Sequence, residues 1–224
     1  METEIVVPDE MAVMTLPNVA FFPQALMPLH IFEPRYRQML KSVLSSHRIF
    51  AVAGLRFDVD PSEEQSQRIA TAGIIRACNL NSDGTSNLLL QGLVRVETIA
   101  PVQETPFRII QAKTLSSTPG APEAENLKLR RRLERLISMK RQLGSSIPQG
   151  FTQFLRTIED PEAFVDLAAF TLCENSPLKQ RLLETLNVHE RLSLYSQSLQ
   201  ADIQTMTLHK KLQGDLADED IENN

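Results

Sequence analysis

The 224-residue chain contains no tryptophan, and aromatic residues make up only 5% of it. This removes the tryptophan-lined cages that hold quaternary cations and the aromatic platforms on which single strands of nucleic acid stack. Cysteine is nearly as scarce. Cys78 and Cys173 stand alone and far apart, which fits two buried free thiols in a reducing compartment; a disulfide or a shared metal is the other reading. His30, His47, His189 and His209 are scattered without the spacing of a zinc site. An excess of basic charge is missing too. With 23 Lys and Arg against 28 Asp and Glu, the net charge is −5, the wrong sign for binding a phosphate backbone non-specifically. No run of about 18 apolar residues is present to span a membrane. The opening METEIVVPDE lacks the basic flank and apolar stretch of a secretory signal. A cytoplasmic location is therefore expected. No G-x-x-x-x-G-K-[ST] loop offers a backbone cradle for ATP.

What is present is a hydrophobic content of 42% and a charged content of 23%, enough for a core in one large domain or two small ones. The chain is organised around Thr15 to Leu44. An apolar extended run, Val13 to Phe22, is interrupted by Pro17, Pro23 and Pro28. Proline cannot donate to a ladder, so this segment can be a strand only at its ends or at a sheet edge. Pro34 suits the first turn of a helix. Tyr36, Leu40, Val43 and Leu44 then fall on one apolar face, with Arg35, Arg37 and Lys41 opposite.

Further on, Arg48–Gly54 has the pattern of a buried strand and Asp58–Gln67 that of a surface loop. Ile69–Leu80, the hairpin signal Asn81-Ser82-Asp83-Gly84, and Asn87–Ala100 with Gly92 as a bulge predict a pair of antiparallel strands. Phe107–Leu115 supplies a last strand. About six short strands with no strand–helix alternation predict a small, partly closed barrel. SSTPGAPEAEN, from Ser116, has linker composition. Beyond it the periodicity is helical, with Asp160-Pro161, Ser176-Pro177 and Asn187 as helix starts.

The consecutive motifs LPNVAFFP and PLHIFEPRYRQML closely resemble the opening of the substrate-binding N-terminal domain of Lon proteases, and PEAFVDLAAFTL with KQRLLETLNVHERLSLYSQSL is similar to the helical part that follows there. The resemblance covers about residues 11 to 205. It implies an α+β architecture: a PUA-like β-pseudobarrel over residues 1–117, a linker over 118–126, a helical bundle over 127–212 and an acidic tail, 213–224, expected to be disordered. It also implies capture of unfolded or tagged protein substrates. The ATPase and Ser–Lys protease domains of Lon have no counterpart in the sequence, so none of the family's catalytic residues has a position here. A stand-alone substrate-binding domain without cofactor is the expectation.

Among the candidate site residues, Phe21, Phe22, Leu26 and Met27 lie amid prolines and are expected to form an apolar peptide-binding patch, the alternative being that all four are core. Pro28, His30, Glu33, Pro34, Arg35 and Tyr36 are read as a structural motif, with His30 packed and bonded to backbone and Glu33 with Arg35 holding the turn. Arg130, Arg131, Arg132 and Arg135 crowd one helix, either as a solvated face or as a site for an acidic partner. Ser176 and Lys179 match S-x-x-K, but Ser176 is better explained as a helix cap. The expected function is non-catalytic binding of exposed hydrophobic or unfolded protein segments, in a groove between barrel and bundle, as an adaptor for an ATP-dependent protease. An RNA-binding PUA-like module and a small-molecule enzyme on the same scaffold are the rivals.

Overall fold

The computed structural model of the chain describes residues 5–56 and 65–219, with side chains through 212. Six strands and six helices appear among the described residues, in the order β1 (Glu10–Leu16), β2 (Leu26–Ile31), α1 (Pro34–Leu44), β3 (Ile49–Gly54), β4 (Ile69–Leu80), β5 (Ser86–Gln103), β6 (Ile109–Leu115), α2 (Glu123–Gln142), α3 (Gln149–Arg156), α4 (Pro161–Leu172), α5 (Ser176–Glu184) and α6 (Val188–Glu219). The expected surface loop at 58–67 lies largely outside the described residues.

The strands form one sheet in the order β2-β5-β4-β3-β1-β6, and a further pairing of β5 with β6 closes β1, β3, β4, β5 and β6 into a ring. Closure removes free edges from those five strands. β1 and β3 run parallel, and the other pairs are antiparallel. The interior is filled by Met11, Val13, Ile49, Val96 and Ile110 with Ala51, Ala53, Ala70, Ala72 and Ala112. Five alanines among ten residues is what a narrow barrel admits.

The returning strand, expected over Asn87–Ala100, runs 18 residues from Ser86 to Gln103. Its first part pairs with β2 and β4, its last with β6. The register skips Leu93 between Ala72/Val94 and Gly73/Gly92, so the strand bends at Gly92 without breaking. A side chain at Gly92 would collide with the carbonyl of Phe22. β2 pairs with β5 alone, the edge position that Pro28 requires.

Pro34 opens α1, and Tyr36, Met39, Leu40 and Val43 are buried, each contributing about 1.5–3 kcal/mol of apolar burial. Met39 joins the buried face, while Leu44 stays 38% exposed. The Tyr36 hydroxyl donates to the Thr15 carbonyl and accepts from the Thr15 N–H, both at 3.2 Å.

Residues through Ser117 form one compact unit with Asp166–Leu186; the second unit groups 118–165 with the chain from Asn187. The boundary thus falls inside α4, and the expected single bundle over 127–212 is divided. In the first unit, Arg95 is 2% exposed and its Nη2 lies 2.8 Å from Asp166 Oδ1, while its Nε donates to the Leu183 carbonyl at 2.9 Å. Gln180 of α5 donates to the Ile69 carbonyl. These polar bonds hold α5 and the end of α4 on the barrel.

In the second unit α2 packs along α6, with Leu133, Ile137, Leu192, Tyr195 and Leu199 buried. The expected linker is tied down there: Thr118 bridges Asn187, and Asn126 donates to the Pro119 carbonyl at 2.8 Å. Asp160 caps α4 through the Ala163 N–H, and Asn187 caps α6 through the Glu190 N–H. For α5 the cap is Asn175, which accepts from the Leu178 N–H at 2.9 Å, and Ser176 is already inside the helix. The backbone of α6 continues to Glu219, into the stretch expected to be a tail.

Candidate functional site

The β4–β5 hairpin is closed by Asn81–Thr85. The Asn81 N–H bonds the Thr85 carbonyl at 2.9 Å, and Gly84 takes a positive φ of 79°. Asp83 accepts from the Thr85 N–H and hydroxyl, which lower its pKa. Leu80 and Cys78 alternate onto the same face of β4 as Leu88 and Ser86 of β5. That face is the one α1 covers.

α1 runs beside the hairpin. Between its flank and the strands lies a groove of about 650 Å³. Leu40, Leu44 and Pro34 line the helix side, and Leu80, Cys78, Ser86 and Gly84 the strand side. Leu80 is 77% exposed. At 100° per residue, Leu44, Arg37 and Lys41 fall about 80°, 100° and 140° around from Tyr36, so they share one flank of the helix. Arg37 and Lys41 stand at the rim, and the Arg37 guanidinium lies against Gly84. The volume and apolar lining are those of a ligand cleft. A second depression, about 210 Å³ beside Tyr36, is spanned by the Arg108–Glu104 ion pair at 2.9 Å and is the poorer candidate.

The expected patch of Phe21, Phe22, Leu26 and Met27 is not formed. Phe21 and Phe22 are fully buried and Met27 nearly so; only Leu26 faces solvent. Phe21 packs edge-on against Phe170, and Phe22 lies under Arg95. The carbonyl of Phe21 accepts from the Thr71 hydroxyl, so the segment finds its backbone partners outside a ladder.

His30 also differs from expectation. It is exposed, its Nδ1 is 2.8 Å from Asn87 Oδ1, and its ring stacks on Phe32. Pro28 occupies the solvent face of β2, and Arg35 pairs with Glu33 at 2.9 Å where the turn enters α1. Tyr36 is the buried anchor of this turn.

The four candidate arginines on α2 do not act together. Arg130 is 8% exposed, and its guanidinium donates to the Ile158 and Arg156 carbonyls at the end of α3 and lies 4.7 Å from the Phe164 ring. It closes a helix C-terminus and offers nothing to a partner. Arg131, Arg132 and Arg135 face outward, with Arg132 bonded to Gln200 at 2.7 Å. The Ser176/Lys179 match brings no nucleophile and base together: Lys179 Nζ donates to the Phe170 carbonyl at 2.9 Å, above that residue's ring. Burial lowers the Lys179 pKa.

The groove residues Leu80 and Cys78 escaped the sequence reading because their strand reads as regular β structure throughout. The usable signal was the flank of α1, where Leu44 departs from the buried face by the same angle that brings it beside Arg37.

Residues 10–201 match the family model of the ATP-dependent protease La (Lon) substrate-binding domain. The Lon protease of Dictyoglomus thermophilum is 25% identical over 218 residues, which cover 95% of this chain and 27% of that protein. Lon protease 1 of Herpetosiphon aurantiacus is 23% identical, over 97% of this chain and 27% of its own. The chain thus spans about a quarter of the length of the curated relatives it matches. Among solved structures, the N-terminal domain of a Mycobacterium avium complex Lon protease superposes with a TM-score of 0.67 at 15% identity, covering 85% of this chain and 98% of that domain. The Lon N-terminal domain protein from Xanthomonas campestris gives 0.60 at 17% identity, covering 82% and 95%.

Proposed function

The chain belongs to the Lon substrate-binding domain family, and from that premise we propose that it binds exposed hydrophobic segments of unfolded proteins in the groove between α1 and the β4–β5 hairpin. The observation that carries this is the apolar lining itself. Leu44 and Leu80 are presented to solvent across a cleft wide enough for side chains, and covering each stabilises a complex by up to about 1.5–3 kcal/mol. Binding is non-catalytic, needs no cofactor, and takes place in the cytoplasm. The captured segment is passed to an ATP-dependent protease, for which the chain acts as adaptor.

Labelled, denatured casein titrated against the chain tests the capture step. Affinity should fall at least tenfold when Leu44 and Leu80 are both replaced by serine, with the melting temperature nearly unchanged because both side chains are already partly in water. Equal binding by the double variant would refute the site. Tight binding of structured RNA with a steep salt dependence, and none of casein, would refute the class. Delivery is tested by adding a Lon-type protease with ATP: casein should be degraded faster with the chain than without it, and the double variant should give no acceleration.

A further inference from the structure

α1 carries no carboxylate. Of its three cations, Arg35 is paired with Glu33. Arg37 and Lys41 are not: neither side chain forms an ion pair or a hydrogen bond among the described residues. Both line the groove, and among the described residues no acidic one does. Asp83, the nearest acid along the hairpin, is turned back onto Thr85. Like charges one helical turn apart repel each other weakly. Here no carboxylate among the described residues pairs with either cation, in a chain whose net charge is −5.

We propose that the groove selects among unfolded segments by charge, taking apolar anchors that are followed by acidic side chains. This rests on the groove reading above. Arg37 and Lys41 are about 6 Å apart along the helix axis. In an extended peptide, side chains two residues apart on one face are separated by roughly 6.5–7 Å. The preferred ligand is therefore an apolar pair with Asp or Glu at two alternating positions beside it. The leucines supply affinity, and the two cations supply the choice.

Fluorescence anisotropy with three labelled peptides tests this: one acidic at the alternating positions, one with Asn and Gln there, and one with Lys. The acidic peptide should bind about fivefold tighter than the amide peptide at low salt, the sum of two exposed ion pairs, and the gap should close in high salt. Lys41→Glu, at a side chain with no ion pair or hydrogen bond among the described residues, should reverse the order of the acidic and lysine peptides. Arg37→Gln should lower the preference too, and its melting curve reports any change at Gly84. Equal binding of acidic and amide peptides, both lost in Leu80→Ser, would overturn the charge selection and leave the groove standing. Unchanged binding of all three by Leu80→Ser would overturn the groove itself. Full competition by a polyanion without apolar groups would show that charge alone is read, and would overturn the proposal.

Discussion

Replacing Asp166 by alanine should cost the first unit a large part of its stability. Arg95 and Asp166 side chains are 2% and 1% exposed, with 2.8 Å between Nη2 and Oδ1. The same guanidinium bonds the Leu183 carbonyl and lies above Phe22, so one side chain ties β5 to α5 and to the end of α4. Removing the carboxylate leaves a cation in a site sealed from water. Breaking a buried pair in this way costs about 3–5 kcal/mol. At roughly 2–4 °C per kcal/mol for a protein of this size, the melting temperature should drop by about 6–20 °C. Urea unfolding followed by far-UV circular dichroism measures the loss, since no tryptophan is available as a reporter. Replacing both partners by apolar residues, Arg95→Met with Asp166→Leu, should recover most of it, because the penalty lies in the unpaired charge and not in the missing attraction. A loss below about 1 kcal/mol for Asp166→Ala, or a double variant no more stable than the single, would refute this account.

Three further outcomes follow from the geometry. Tyr36→Phe removes both hydroxyl bonds to the Thr15 backbone and should destabilise by about 1–3 kcal/mol; an unchanged unfolding midpoint would contradict the anchoring role. Gly92→Ala drives a methyl group into the Phe22 carbonyl and should cost about 3 kcal/mol or fail to fold, whereas a wild-type melting curve would show that the β5 bend does not depend on this approach. Burial lowers the Lys179 pKa, so the folded chain releases this proton at a pH where the unfolded chain, titrating near 10.5, still holds it. Stability should therefore rise with pH through the window that ends near 10.5, relative to Lys179→Met; parallel stability–pH curves for the two proteins would refute it.

Much of the architecture was legible in the residues. Pro34, the Asp83-Gly84 turn, the buried run at Ile49–Gly54 and the caps at Asp160 and Asn187 stand where local chemistry places them. Ring closure was not legible in detail, because it depends on β5 pairing with three different strands, a consequence of length and bending that no local pattern encodes. The division inside α4 was equally hidden. Phe164 and Val165 fall in one unit and Ala168 and Ala169 in the other, yet all four are buried apolar residues of one helix. Arg130 was misplaced for a similar reason: a run of arginines does not reveal which member turns inward to meet carbonyls.

The expected exposure of Phe21, Phe22 and Met27 rested on a false equation between an interrupted ladder and an exposed surface. Pro17 and Pro23 fall outside the strands, and Pro28 sits in an edge strand whose register runs through it, but a ladder concerns N–H and C=O groups, and side-chain burial is a separate matter. The Phe21 carbonyl accepts a hydrogen bond from the Thr71 hydroxyl, Gly92 makes room for the Phe22 carbonyl, and both rings go to the core. Exposure arises instead at the hairpin end of β4, where Cys78 and Leu80 line a groove with the flank of α1 that carries Leu44, Arg37 and Lys41. The Thr71 and Gly73 end of the same strand lies against Phe21. A deletion that shortened the β4–β5 hairpin by one residue pair on each strand, keeping the Asn81–Thr85 turn, should close the groove and abolish peptide binding while the ring of five strands still folds; retained binding would place the site elsewhere.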